Sequence, residues 1–300
     1  MSYFLTDLDG TLLRSDATLS ADAARILTEA LNAGLVVSYA TARSYISSHK
    51  VVAAVPWRYP LVLYNGAVLF DPTTERVLDG AWLDPATTDE IIGLGRARGL
   101  LPLLFALDGE DRERVLHERL VRLGELQFVA DRPGDPRFAE VDCLICPASF
   151  RTLILTYIGS REELLPLQED VRHLFGNRVH IHLLKDAYIA DHYFLEFSDR
   201  MANKREGLRK WAALLNVSAD AVTVFGDNLN DLGLFETAGT RIAVAGAHPD
   251  IAALATARTG GNDEDGVARY LEQWMRAQPA GIAKDGGAVS RSPSRDTHMG

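Results

Sequence analysis

Cysteine is nearly absent: the 300 residues hold two, Cys143 and Cys146. Two thiols cannot build a disulfide framework, and one Cys-x-x-Cys pair lacks the second pair that a structural zinc site needs. Residues 141–145 read as a strand, so both thiols are expected as buried structural groups rather than redox or metal ligands. Long apolar runs are missing as well. No stretch approaches the ~18 residues of a membrane span. The N-terminus has no charged segment followed by an apolar run, so no signal peptide is expected and the location reads as cytoplasmic. Positive charge is in deficit, with 31 Lys and Arg against 41 Asp and Glu, a formal net charge of −10. That balance argues against nucleic acid or an anionic membrane as partner. It leaves room for a small anionic substrate, because a bound cation reverses the field locally.

What is present is enough for a sizeable core: 47% of the residues are hydrophobic, and the length suits one large domain or two ordinary ones. Residues 3–5 are a short apolar run that ends in Asp7-Leu8-Asp9-Gly10-Thr11. In an open α/β sheet, chemistry collects at the carboxyl ends of strands. Two carboxylates there are costly to ionise together unless a cation joins them, and Gly10 lets the backbone turn sharply beside a ligand. Ser20 caps an expected helix that Gly34 ends, and residues 35–39 form a second buried strand. A helix over 44–53 and a strand over 60–64 continue the alternation that makes parallel crossovers the expected connections.

From about residue 82 the rhythm changes. Helices are expected over 84–98 and 161–175, and strands over 101–106, 152–158, 178–184 and 193–197; residues 112–117 fit a strand or a helix, with strand the preferred reading. His180 and His182 share one face of such a strand. With no third ligand evident, they are read as part of a packed or solvent-facing strand. This stretch is expected to be a separate α+β domain, residues 81–199, inserted between two halves of a core, 1–80 and 200–276. The core resumes with a helix over 203–215, a strand over 221–225, a helix over 231–238, a strand over 241–244, and helices over 249–257 and 263–276. Residues 277–300, rich in Ala, Gly, Ser, Pro and Arg without periodicity, read as a disordered tail. The expected fold class is α/β: a doubly wound, mostly parallel core with an inserted α+β cap.

Chemistry-bearing residues recur at the same sheet edge. Thr41 ends the second strand, where a hydroxyl can donate to a phosphoryl oxygen without adding charge. Lys204 opens a helix, against the dipole: it is either an ordinary surface lysine, or the conflict is removed by pairing with carboxylates and an anionic ligand. Gly226-Asp227-Asn228-Leu229-Asn230-Asp231 follows a buried strand directly, so Asp227 meets the edge that carries Asp7. Asn230 and Asp231 stand at a helix start, where capping is the plainer reading of both. Three carboxylates with water make the oxygen-rich surroundings that magnesium prefers.

Asp-x-Asp-Gly-Thr, a strand-end Thr, Lys and Gly-Asp-x-x-Asn-Asp, in that order, resemble the haloacid dehalogenase superfamily of phosphatases over residues 1–276. The insertion resembles the large α/β cap of the Cof-like subfamily, as do Asn65-Gly66-Ala67 and Glu264-Asp265-Gly266-Val267-Ala268. The cap's layout is also similar to that of mannosyl-3-phosphoglycerate and sucrose-phosphate phosphatases. Two departures stand out: Thr41-Ala42-Arg43 replaces the common Thr-Gly-Arg, and Gly246-Ala247-His248 replaces Asn-Ala. The resemblance implies Mg2+ held by the Asp7 carboxylate, the Asp9 main chain and Asp227. It implies Asp7 as nucleophile, Asp9 as general acid and base, and Thr41 and Lys204 on the phosphoryl oxygens. Asn230 and Asp231 are expected behind them, orienting Lys204 and the metal's water. Arg43, Asn65 and Gly66 are expected at the cap interface or on the substrate. The expected activity is hydrolysis of a small phosphorylated metabolite of the sugar-phosphate kind. Transfer of the phosphoryl group to a second sugar, or within one as in a mutase, uses the same motifs. A non-catalytic ligand-binding domain is expected to have lost Asp7, Asp9 or Asp227, and none is lost.

Overall fold

The computed structural model describes residues 2–185 and 189–278. The first part of the chain forms β1 (Tyr3–Thr6), α1 (Ala21–Asn32), β2 (Val36–Tyr39), α2 (Tyr45–Val52), β3 (Leu61–Leu63), β4 (Val68–Asp71) and β5 (Arg76–Gly80). The middle forms α3 (Pro85–Ala97), β6 (Leu103–Leu107), β7 (Glu113–His117), α4 (Leu123–Ala130), β8 (Phe138–Glu140), β9 (Arg151–Gly159), α5 (Arg161–Phe175), β10 (Val179–Lys185) and β11 (Tyr193–Asp199). The last part forms α6 (Lys204–Leu214), β12 (Val222–Gly226), α7 (Leu232–Phe235), β13 (Thr240–Ala243), α8 (Pro249–Leu254), β14 (Ala257–Arg258) and α9 (Gly266–Ala277).

The core is a parallel sheet in the order β14-β13-β12-β1-β2. A parallel bridge from Ala40 to Val62 then brings in β3, which starts an antiparallel sheet with β4 and β5. Central strands of a doubly wound sheet are buried on both faces, which is why β1 and β12 are apolar almost throughout. Phe4 packs with Leu27 and Leu271 on one side, while its neighbour Leu5 packs with Leu208 and Trp211 on the other. The order reverses at β1, with β12 on one side and β2 on the other, so a crevice opens at their carboxyl ends.

The strands β6 to β11 build a second sheet, β10-β11-β9-β6-β7-β8, in which every pairing is antiparallel except β7 with β8. Helices α3 and α5 cover one face, their Ile91 and Leu167 clustering with Leu195 and Phe197 of β11. On the other face, Phe128 of α4 packs its ring against Phe105 and Phe194. This is the cap, and its Leu107 and Leu153 join the apolar cluster of the core.

Several expectations are corrected. Residues 141–145 form no strand: the Glu118 carboxylate accepts the Leu144 amide at 2.8 Å, Asp89 accepts the Cys146 amide at 2.7 Å, and Arg96 donates to the Leu144 carbonyl. Side chains thus take the backbone groups a sheet would have used. Cys146 is buried there, but Cys143 is exposed, so only one thiol is a core group. The helix expected over 231–238 is a tight turn, Leu229–Asp231, followed by the short α7. Helix α9 starts at Gly266 rather than 263. Beyond Gln278, the expected tail lies outside the described residues.

Candidate active site

Three strand ends and one helix start converge. Asp7 directly follows β1, and its amide donates to the Phe225 carbonyl of β12 at 3.0 Å. Thr41 follows β2 and is fully buried, as is Lys204 at the head of α6. Asp227 follows β12. Lys204 Nζ donates to Asp7 Oδ1 and to Asp231 Oδ1, both at 2.6 Å. The second oxygen of Asp231 accepts the Asp227 and Asn228 amides, so one carboxylate fixes both the lysine and the turn after β12. Asn203 caps α6 by accepting the Glu206 amide. Gly10 has φ +78°, and a Cβ there would lie 2.5 Å from Asp227 Oδ2. The sharp turn and the close approach of that carboxylate both require glycine.

Asp7, Asp227 and Asp231 offer carboxylate oxygens that all lie within 4.8 Å of one another. Burial pushes the Asp7 carboxyl up to about 8, opposed by Lys204 and reinforced by the Asp231 charge. Burial also raises Asp227, against its hydrogen bond from the Thr11 hydroxyl at 2.7 Å. For Lys204, burial disfavours the charge, but Asp231 and Asp7 outweigh it and hold the pKa above the ordinary lysine value. With all three carboxylates ionised, one ammonium leaves two negative charges uncompensated, which is what favours a proton on Asp7 when no cation is bound. Asp227 Oδ2 has no donor among the described residues. An all-oxygen donor set in need of two positive charges fits a hard divalent cation such as Mg2+.

Asp9 sits at the outer edge, its side chain 50% exposed, gripped by Arg43 through two parallel bonds of 2.8 and 2.5 Å. Arg43, expected on the substrate or the cap, is therefore paired with Asp9. Thr41 Oγ1 accepts the Arg43 amide at 3.1 Å, which leaves its own proton free to donate. Asn65 is half-buried at φ +54°, and its Oδ1 has no partner among the described residues. Gly66 is buried: at φ +101°, a Cβ would lie 2.2 Å from the Asn203 carbonyl. Asn230 is exposed and makes no hydrogen bond to Lys204 or Asp231 among the described residues, so the orienting contact belongs to Asp231 alone. Thr11 was not singled out by the sequence reading. Its signal was present, as the hydroxyl directly after the glycine turn. A groove of about 870 Å3 opens beside Lys204, between the cap face carrying His180, His182, Glu196 and Ser198 and the core residues Asn65 and Asn230.

The profile of the haloacid dehalogenase-like hydrolases matches residues 4–271. The chain belongs to that family. Pyridoxal phosphate phosphatase YbhA of Escherichia coli is 25% identical over 88% of the chain and 95% of its own length. The 5-amino-6-(5-phospho-D-ribitylamino)uracil phosphatase YitU of Bacillus subtilis is 27% identical over 90% and 96%. A crystal structure from Thermotoga maritima superposes with a TM-score of 0.72 at 26% identity, covering 91% of this chain and 97% of that one. The haloacid dehalogenase-like chain described here is an enzyme, a phosphatase, with the core and cap that the sequence resemblance implied.

Proposed function

We propose that the enzyme is a Mg2+-dependent phosphomonoesterase of the cytoplasm. Its substrate is a small metabolite phosphorylated on an alcohol oxygen, of the sugar-phosphate kind. The observation that carries this reading is the buried Asp7 carboxylate at the sheet edge, 2.6 Å from Lys204 and clustered with Asp227 and Asp231. Asp7 attacks phosphorus and forms an aspartyl-phosphate while the P–O bond to the alcohol breaks. Asp9 protonates the departing alcohol, then takes a proton from the water that hydrolyses the intermediate. Arg43 aims the Asp9 carboxylate. Thr41 and Lys204 hold phosphoryl oxygens and offset charge in the transition state. Asp7 and Asp227, with the Asp9 main chain, would hold Mg2+, whose positive charge shields the attacking carboxylate from the phosphoryl group.

The leaving group would lie in the groove under the cap. Hydrogen-bonding side chains such as His182, Glu196 and Ser198 line it, which suits a hydroxylated partner. Relatives named for pyridoxal phosphate and for a phosphoribityl compound support a small phosphorylated metabolite. The test is phosphate release from a panel of alkyl and aryl phosphates with Mg2+, with chelator, and with Mg2+ restored. Release that the chelator stops and Mg2+ rescues is expected. No release from any monoester in Mg2+ overturns the reading, and label appearing on an added sugar instead of in phosphate replaces hydrolysis by transfer.

A further inference from the structure

Three consecutive residues, Tyr64, Asn65 and Gly66, have φ of +49°, +54° and +101°. Two of the three are not glycine, so neighbouring contacts must hold them in this left-handed conformation. Their backbone touches two segments of the site, the one that carries Thr41 and Arg43 and the head of α6. The Tyr64 amide donates to the Arg43 carbonyl at 3.1 Å, and the Asn65 amide to the Thr41 carbonyl at 2.9 Å. Gly66 lies against the backbone of Asn203, the cap of the helix that begins with Lys204. One strained turn therefore braces Thr41, Arg43 and Lys204 together.

The side chain of that turn is tied to the cap. The Tyr64 ring is buried, and Arg137, beside β8, donates to its hydroxyl at 3.4 Å. Arg137 is itself buried, bonded to Asp135 at 2.6 Å and paired with Glu113 of β7 at 3.5 Å. Glu113, half-buried, reaches into the core, where its Oε1 accepts the Tyr45 amide at 2.7 Å. Tyr45 opens α2, two residues after Arg43. The cap thus supplies two carboxylates and a guanidinium, and the core a phenol and a helix-start amide. A buried charged cluster of this kind is weak support for stability and serves better to fix one arrangement.

We propose that Tyr64 and Glu113 are positioning residues, which hold the loops carrying Thr41, Arg43 and Lys204 in register with the seated cap. The inference rests on the phosphatase reading of the site for its kinetic consequence, though not for its structural one. Seating of the cap fixes Glu113 on α2 and Arg137 on Tyr64, and the 64–66 turn carries that constraint to the two segments that bear Thr41 with Arg43 and Lys204.

The test uses the full chain with Tyr64→Phe, which removes one hydroxyl, Glu113→Gln, which keeps an acceptor for the Tyr45 amide, and the two combined. Amide hydrogen exchange and aryl phosphate hydrolysis are measured on each folded variant. Exchange at residues 41–48 and 64–66 should accelerate about tenfold, while Leu5 and Val224 in the sheet stay protected. The kcat should fall about 10- to 100-fold, as expected when binding groups are displaced by about an ångström. In the double variant the losses should be far from multiplicative, because both substitutions act on one network. Unchanged exchange in these loops overturns the proposal. So does unchanged kcat in an active enzyme, or a double variant whose losses simply multiply. An inactive wild type would sink the phosphatase reading instead, and the exchange arm would then decide the brace alone.

Discussion

Asp7 and Asp9 lie two residues apart yet occupy opposite surroundings. Asp7 is buried against Lys204, whereas Asp9 is half exposed and paired with Arg43. Such a division suits one carboxylate that attacks and one that exchanges protons with solvent. Asp7→Asn keeps shape and removes the nucleophile, so turnover should drop by roughly four orders of magnitude with the fold intact. Near-normal phosphate release by the purified variant would remove Asp7 from the reaction. Asp9→Asn should lose two proton transfers, each worth ~10²–10⁴-fold. An aryl leaving group needs less protonation than an alkyl one. Single-turnover release should therefore suffer less on the aryl ester, and equal losses on both would assign the acid elsewhere. The positions of Asp7, Asp227 and Lys204 were legible because each adjoins a strongly patterned strand or helix. The difference between Asn230 and Asp231 was not, since both read as caps and only the three-dimensional turn aims Asp231 at Lys204. The Arg43–Asp9 pair joins residues 34 positions apart through two loops, and no periodicity reports on that.

At the level of elements, the strands of the parallel core were legible from near-continuous apolar runs and α1 from its cap at Ser20; α3 and α5, also expected, are capped in the structure by Asp84 and Ser160. Helix α4 was not. Leu123 and Leu126 are exposed and its N-cap position, Arg122, makes no side-chain capping bond, so neither periodicity nor a start signal marks it. Strand β5 was missed because it is largely exposed and carries no alternating apolar face, and β4 because its buried run, Val68 to Phe70, is only three residues long. The turn between β3 and β4 carries the strongest prediction at this scale. Gly66→Ala would place a methyl group 2.2 Å from the Asn203 carbonyl at a φ that only glycine tolerates well. Denaturant melts should show a loss of at least about 2 kcal/mol. The head of α6 must shift to relieve the contact, so Lys204 should move and activity fall further than stability accounts for. A stability within error of wild type would mean that the turn yields instead of holding.

For the molecule as a whole, the two larger sheets differ in strand direction, the core sheet parallel and the cap sheet mostly antiparallel, and the interrupted strand–helix rhythm near residue 82 announced the second. Its six-strand order was beyond a linear reading, because β7–β8 and β9–β11 pair across helices. The two bodies meet above a carboxylate cluster whose charge one lysine does not balance, and that imbalance makes stability depend on pH and metal together. Without metal, burial raises Asp7 from 3.8 to about 8. Between those values the folded chain keeps a proton that the unfolded chain has released. Its contribution to stability is therefore full below about pH 4, declines as pH rises, and is gone above about 8. Mg2+ needs the ionised carboxylate, so proton and cation compete for the same oxygen. Added Mg2+ should raise the melting temperature little at pH 5, where the proton already relieves Asp7, and clearly more at pH 8. In Asp7→Asn the site neither binds that proton nor offers that charge, so the pH dependence of the Mg2+ effect should flatten. The measurement is a set of thermal melts at both pH values, with and without millimolar Mg2+, for wild type and variant. A Mg2+ effect of the same size at pH 5 and pH 8 in the wild type would mean that the cation does not engage Asp7, and the charge left over in the cluster would then need another partner.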